Sequence, residues 1–286
     1  PTSSAKQFMN YAPPVPVTPS PPMIWAGFSY RPGFRTGHDS GLYMTLVYKS
    51  AASTHPGLCR ESNEDAVCGY PEAAIWCVVD GMGGHTAGDV AAQMVVTAVS
   101  EVARRQPPPG SLEQVVAAVT AAIHAVNQQL VQSATDASVM GCTVAVLIAR
   151  GRAGACLWAG DSRLYLARDS RLYQLSRDHS VVQQLVDNGI VDEQEAATHP
   201  ERHLLTRAVG AEIDLQLDYL DFDLQPGDLL LLCSDGLYAE LVPEEILRAL
   251  ERGPGCQRRV ERLIERVLAG PARDNVAVSV IEVCPA

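Results

Sequence analysis

Apolar residues fall along the chain in two patterns. Some form short unbroken runs; others form stripes that step by three and four. An unbroken run bounded by turn residues predicts a strand buried on both faces. Ala73-Ala-Ile-Trp-Cys-Val-Val79 is such a run and stops at Asp80-Gly81; Asp228-Leu-Leu-Leu-Leu-Cys233 is another and stops at Ser234-Asp235-Gly236. Further strands are predicted over 44–53, 142–149, 153–159, 163–167, 171–175, 215–222 and 276–283. The short connections at Arg150-Gly151 and Arg168-Asp169-Ser170 predict antiparallel hairpins. Helices are predicted over 88–105, ended by Pro107-Pro-Pro-Gly110, and from Ser111 onward. Ser111 is a candidate N-cap with Gln114 three residues on. Leu112, Val116, Val119, Ile123, Val126 and Leu130 then form a core-facing stripe. More helix is predicted over 179–197, 243–252 and 256–269. Strand runs mixed with paired helices predict two antiparallel sheets covered by helices, not a parallel wound sheet.

Composition changes this picture at the start of the chain. Residues 1–43 hold Pro13, Pro14, Pro16, Pro19, Pro21, Pro22 and Pro32. Proline lacks the N–H and fixes φ, so an extended, flexible tail is expected there, with one domain over 44–286. The tail is mildly basic, with Lys6, Arg31 and Arg35 against Asp39. The whole chain carries a net charge of −11, which argues against non-specific nucleic-acid binding and against an anionic membrane surface. The uncharged stretch from Gln114 to Thr135 is interrupted by His124, Asn127 and several glutamines, so it reads as amphipathic, not membrane-spanning. The eight cysteines show no CxxC and no Cys/His zinc spacing. With no secretory signal expected from the polar start, a reducing, cytoplasmic location is expected.

The chemistry lies in where acidic residues fall. Asp80, Asp161 and Asp235 each end an apolar run, and Asp274 directly precedes one. Three of the four stand beside glycine: Gly81, Gly160 and Gly236. A carboxylate at the rim of a buried strand is poorly solvated unless paired, and several together repel one another. Cationic residues are sparse next to these positions. Any one of the four alone would be ordinary turn punctuation. Together they suit a divalent cation with oxygen ligands, Mg²⁺ or Mn²⁺ rather than zinc.

Eight segments appear in a telling order: Arg60-Glu-Ser-Asn-Glu-Asp65, Val79-Asp-Gly-Met-Gly-Gly-His85, Gly141-Cys-Thr143, Gly160-Asp-Ser-Arg163, Asp178-His-Ser180, Leu205-Thr-Arg-Ala-Val-Gly210, Cys233-Ser-Asp-Gly-Leu237 and Arg273-Asp-Asn275. Residues 44–284 thereby resemble the bacterial type 2C, metal-dependent Ser/Thr protein phosphatases. The resemblance implies an α+β, four-layer α-β-β-α sandwich with its metal site at one end. It implies that Asp80 bridges two ions, that Gly81 adds its carbonyl oxygen, and that Asp235 and Asp274 complete one shell. Glu64 and Asp65 would act through water, and Asp161 with Asp235 would hold a third ion. Arg60 would bind the substrate phosphate as a planar fork that lysine cannot reproduce.

The implied reaction is hydrolysis of phosphoserine and phosphothreonine by direct attack of a metal-bridging hydroxide at a binuclear Mg or Mn centre. The implied partners are phosphoproteins that are targets of a cognate Ser/Thr kinase, in bacterial signalling or secretion control, and a monomer is expected. Met82 stands where eukaryotic members carry a histidine general acid, which leaves solvent or a metal-bound water as the proton source, with His179, His199 and His203 as other candidates; His85, three residues later, is not assumed to substitute. Residues from about 180 to 204 match the family's variable flap. Two other readings are a weakly catalytic, phosphatase-like binding module, favoured only by the tail, and another two-metal hydrolase such as a phosphodiesterase.

Overall fold

The runs that look featureless in sequence alternate in space. The computed structural model describes residues 46–83, 87–105, 110–134 and 140–286. In strand β3 (Ile75–Met82), Ile75, Cys77 and Val79 face one core while Trp76 and Val78 face another. In β10 (Leu229–Cys233), Leu229, Leu231 and Cys233 face a third core while Leu230 and Leu232 join the second. Both faces are buried, so both read as apolar.

These strands belong to two sheets. One has the order β1 (Leu46–His55), β11 (Val276–Pro285), β10, β7 (Arg163–Arg168), β8 (Arg171–Gln174). The other has the order β2 (Asp65–Tyr70), β3, β5 (Val144–Arg150), β6 (Ala153–Ala159), β9 (Asp218–Asp223), with the short β4 (Gly141–Cys142) beside β3. All pairings are antiparallel. Helices α1 (Ala87–Ala103) and α2 (Leu112–Ser133) cover the second sheet. Helices α6 (Pro243–Glu251) and α7 (Cys256–Leu268) cover the first. The layers are therefore α-β-β-α, and Trp76, Leu147, Leu164, Leu230 and Ile281 fill the space between the sheets. Each such side chain contributes about 1.5–3 kcal/mol by leaving water.

Helix α2 starts as its sequence predicts: Ser111 and Gln114 form a reciprocal capping box. Its stripe is shifted at one point, since Val115 is buried and Val116 only half-buried. Three other expectations change. The helix predicted over 179–197 is two short helices, α3 (Val181–Asp187) and α4 (Glu193–Thr198). Gly189 sits between them at φ +66°, a conformation that ends a helix, and Asp192 starts the next one as N-cap. Strand β2 and the single turn α5 (Asp235–Tyr238) were not expected from the pattern. The Pro-rich segment 1–43, with its expected flexibility, and His85 lie outside the described residues. No helix among the described residues is long and apolar enough to cross a membrane.

Candidate metal centre

The antiparallel order sends four chain segments to one end of the sandwich. Strand β3 runs parallel to β6, so the chain leaves both at the same end. Asp80 lies near the end of β3, and Asp161 follows β6. Strand β10 ends where its neighbour β11 begins, so Asp235 and Asp274 meet at one end of the other sheet. Strand β2 begins there too, with Asp65 directly opposite Asp80.

Hydrogen bonds across the layers show that the two ends coincide. Ser234 Oγ donates to Asp65 Oδ2 at 2.7 Å and accepts from the Ala277 N–H at 2.9 Å. The Glu64 N–H donates to Asn275 Oδ1 at 2.8 Å, while Asn275 Nδ2 donates to Pro56 O and Ser62 O. Tyr238 Oη donates to Asp161 O at 2.9 Å. Ser234, Asn275 and Tyr238 are positioning residues that sequence reasoning passed over. The first two adjoin the acidic residues in Ser-Asp-Gly and Arg-Asp-Asn, and that adjacency was the available signal.

Glycine explains how the segments come so close. A Cβ on Gly81 would meet Gly88 O at 2.3 Å and Glu64 O at 2.6 Å; one on Gly236 would meet Asn275 O at 1.9 Å. In the fold, these two glycines admit neighbouring backbone, and that contact aligns the carboxylates.

The electrostatics mark one neighbourhood. Burial lowers the Arg60 pKa, but the hydrogen bond and charge of Asp274, with the charges of Asp235 and Asp80, outweigh it and leave it raised. Burial raises the Glu64 carboxyl, Arg60 opposes, and Asp274 and Asp89 add to the rise. Arg60 Nη2 donates to Asp274 Oδ2 at 2.8 Å. Its hydrogen-bond partner is thus a carboxylate distant in sequence. Asp80 is anchored through its backbone: its N–H donates to Thr143 Oγ1, and its carbonyl accepts from the Thr143 N–H at 2.8 Å.

The donor chemistry fits a hard divalent cation: carboxylate oxygens gathered at sheet ends around one guanidinium. Among the described residues, however, no three His, Cys, Asp or Glu side chains form a ready-made ligand cluster. Arg60 holds Asp274 at 2.8 Å.

Met82, His179 and His199 take structural places. Met82 packs with Leu205 and Ala208. His199 caps α4 and accepts the Glu201 N–H. His179 is buried and stacked on Trp158, and its Nδ1 accepts the Gly160 N–H at 3.1 Å. Its Nε2 lies 3.3 Å from Asp218 Oδ2, and Asp218 also pairs with Arg207. Burial raises the Asp218 pKa, but His179 and Arg207 overcome this and lower it to about 2. A carboxyl depressed on folding stabilises the protein above its unfolded pKa and loses that contribution as pH falls through the folded value. Asp218→Asn is therefore expected to be less stable than the parent at pH 7. Urea unfolding should show the difference shrinking from about pH 4 to about pH 2. Asp218 is 45% exposed, so the effect is discounted to about 1 kcal/mol or less.

A two-sheet α-β-β-α sandwich with oxygen donors gathered at one end defines the class. A family model described as protein phosphatase 2C matches residues 60–273, and the chain belongs to that family. The serine/threonine protein phosphatase PstP of Mycobacterium tuberculosis is 40% identical over 241 residues, 84% of this chain and 46% of that relative. The chain thus spans about half the length of that curated relative. A solved structure described as PppA, a key regulatory component of T6SS in Pseudomonas aeruginosa, is 38% identical, with a TM-score of 0.75 over 83% of this chain and 99% of that one. The PstP catalytic domain in complex with 2 manganese ions is 37% identical, with a TM-score of 0.74, covering 84% of this chain and 100% of that one.

Proposed function

We propose that the chain is a Mg²⁺- or Mn²⁺-dependent phosphatase that hydrolyses phosphoserine and phosphothreonine in proteins. The observation that carries this reading is that Asp80, Asp235 and Asp274 stand at the shared end of both sheets, with Arg60 bonded to Asp274. Asp80, the Gly81 carbonyl, Asp235 and Asp274 are the proposed ligands of two ions; Glu64 and Asp65 act through water, and Asp161 serves a third ion. Divalent ions, when bound, supply the positive charge that lowers the pKa of a water and offsets charge on phosphoryl oxygens. Arg60 uses one Nη2 proton for Asp274, and its remaining N–H groups are the proposed donors to phosphoryl oxygens. The buried Asp65–Ser234 bond holds the two sheet ends together during this chemistry. With Met82 packed away and His179 held by Gly160 and Asp218, solvent is the proposed source of the leaving-group proton.

Substrate choice is assigned to residues 180–204, which carry α3 and α4, neither of which has a buried residue. The proposed partners are phosphoproteins made by a cognate Ser/Thr kinase. The Pseudomonas aeruginosa relative, described as regulating T6SS, makes secretion control one such setting. Eight free cysteines suit a cytoplasmic, reducing location.

The test is turnover of p-nitrophenyl phosphate and of a phosphothreonine peptide with Mn²⁺, before and after a chelator. Chelation is expected to reduce turnover by about 10²-fold or more, with recovery on adding Mn²⁺. Turnover unchanged by complete metal removal would refute the proposal.

A further inference from the structure

We propose that Cys68 and Cys77 form a redox-active dithiol that a hydroperoxide oxidises to an intrachain disulfide joining β2 to β3. The two residues stand directly opposite each other in the antiparallel pair. The Gly81 N–H donates to Glu64 O, and hydrogen-bonded pairs recur every second residue, so Cys68 and Cys77 form one such pair. Opposed Cα atoms in such a pair lie about 5.5 Å apart, inside the roughly 4.4–6.8 Å range that a disulfide spans, and their Cβ atoms, about 5.5 Å apart, must close by about 1 Å for the bridge to form. Both side chains point to the same face: Cys77 belongs to the core beneath α1 and α2, and Cys68 packs against that core.

The pair divides its labour. Cys77 is fully buried, and burial pushes its thiol well up. Cys68 is half-buried. The neighbouring Cys77 thiol lowers its pKa most, burial opposes, and the Ser100 hydroxyl and Arg104 guanidinium add to the lowering. Cys68 is therefore the more exposed residue of the pair and the one whose thiol pKa is lowered, and Cys77 stands ready to resolve it. Cys142, Cys156 and Cys233 are fully buried with raised thiols.

The chemistry balances. The Cys68 thiolate attacks one peroxide oxygen; the S–O bond forms, the O–O bond breaks, and the expelled hydroxide takes the proton lost by Cys68 and leaves as water. Cys77 Sγ then attacks Cys68 Sγ; the S–S bond forms, the S–O bond breaks, and the second hydroxide leaves with the Cys77 proton as water. The thiols give up two electrons and the peroxide accepts them. The bridge would fix strands β2 and β3, which carry Asp65 and Asp80 three residues away.

The test reads covalent structure and does not depend on the proposed phosphatase activity. The full chain is treated with hydrogen peroxide, denatured, capped with maleimide and cleaved after Glu72 without reduction. Two of the eight thiols are expected to escape capping, in one peptide pair linked through Cys68 and Cys77, and dithiothreitol should restore both. Cys68→Ser, at a half-buried position, should abolish the linked pair. Cys77→Ala should instead leave a dimedone-reactive sulfenic acid on Cys68. Peroxide consumed at exposed Cys59 while Cys68 and Cys77 are both capped would overturn the proposal, as would a bridge from Cys68 to any other cysteine.

Discussion

Asp80→Asn is expected to lower kcat/KM for a phosphothreonine peptide by about 10³-fold, ~4 kcal/mol of lost transition-state stabilisation. Its backbone bonds to Thr143 do not use the carboxylate, so the strand end stays in place. The charge offered to cations goes, and with it the attraction between Asp80 and Arg60. The same substitution should make the metal-free protein more stable. Asp80 is buried and faces Asp65 across the β2–β3 pair, and like charges directly opposite destabilise a sheet by about 0.2–1 kcal/mol. Thermal unfolding in chelator should therefore place the variant slightly above the parent, and Mn²⁺ should raise the parent far more than the variant. A variant that loses both activity and chelator-state stability would show that Asp80 serves packing instead.

Gly236→Ala carries the second large effect. The added methyl carbon would sit 1.9 Å from Asn275 O and 3.3 Å from Val276 Cα. Both are backbone atoms, so no side-chain rotation relieves the clash. Asn275 cannot retreat freely, because its side chain is bonded to Pro56 O, Ser62 O and the Glu64 N–H. The α5 turn must move away instead, carrying Asp235 from Asp274. Overpacking of this kind costs about 1–3 kcal/mol and more where backbone is fixed. Urea unfolding should show that loss, and turnover should fall by more than the loss of folded protein explains. Gly270→Ala is the control: its methyl would make only ordinary contacts, with Val267 O at 3.4 Å and Glu240 Oε2 at 3.6 Å, and little change is expected.

What the sequence made legible was local. The apolar runs of β3 and β10 announced buried strands because both their faces are covered. Ser111 and Gln114 announced α2 because a capping box is a contact between near neighbours. Strand β2 was missed because Asp65-Ala-Val-Cys-Gly-Tyr70 has neither a clean alternation nor a run; its conformation comes from pairing with β3. The break between α3 and α4 was readable in Asn188-Gly189, but the apolar periodicity on either side concealed it.

The candidate centre divides in the same way. Strand ends marked Asp80, Asp161, Asp235 and Asp274 as candidates, since a strand boundary is a local property. Which groups touch was not legible. Arg60 lies 214 residues from Asp274, and Ser234 lies 169 from Asp65, so only the folded topology brings them together. Nor could spacing show that Gly81 and Gly236 serve backbone contacts between layers.

Anomalous diffraction from a crystal grown with Mn²⁺ tests the central claim most directly. Two strong peaks are expected at the shared end of the sheets, with Asp80 touching both, Asp235 and Asp274 on one, and the Arg60–Asp274 contact loosened. Ordered protein at saturating Mn²⁺ with no anomalous peak near Asp80, Asp235 and Asp274 would contradict the account.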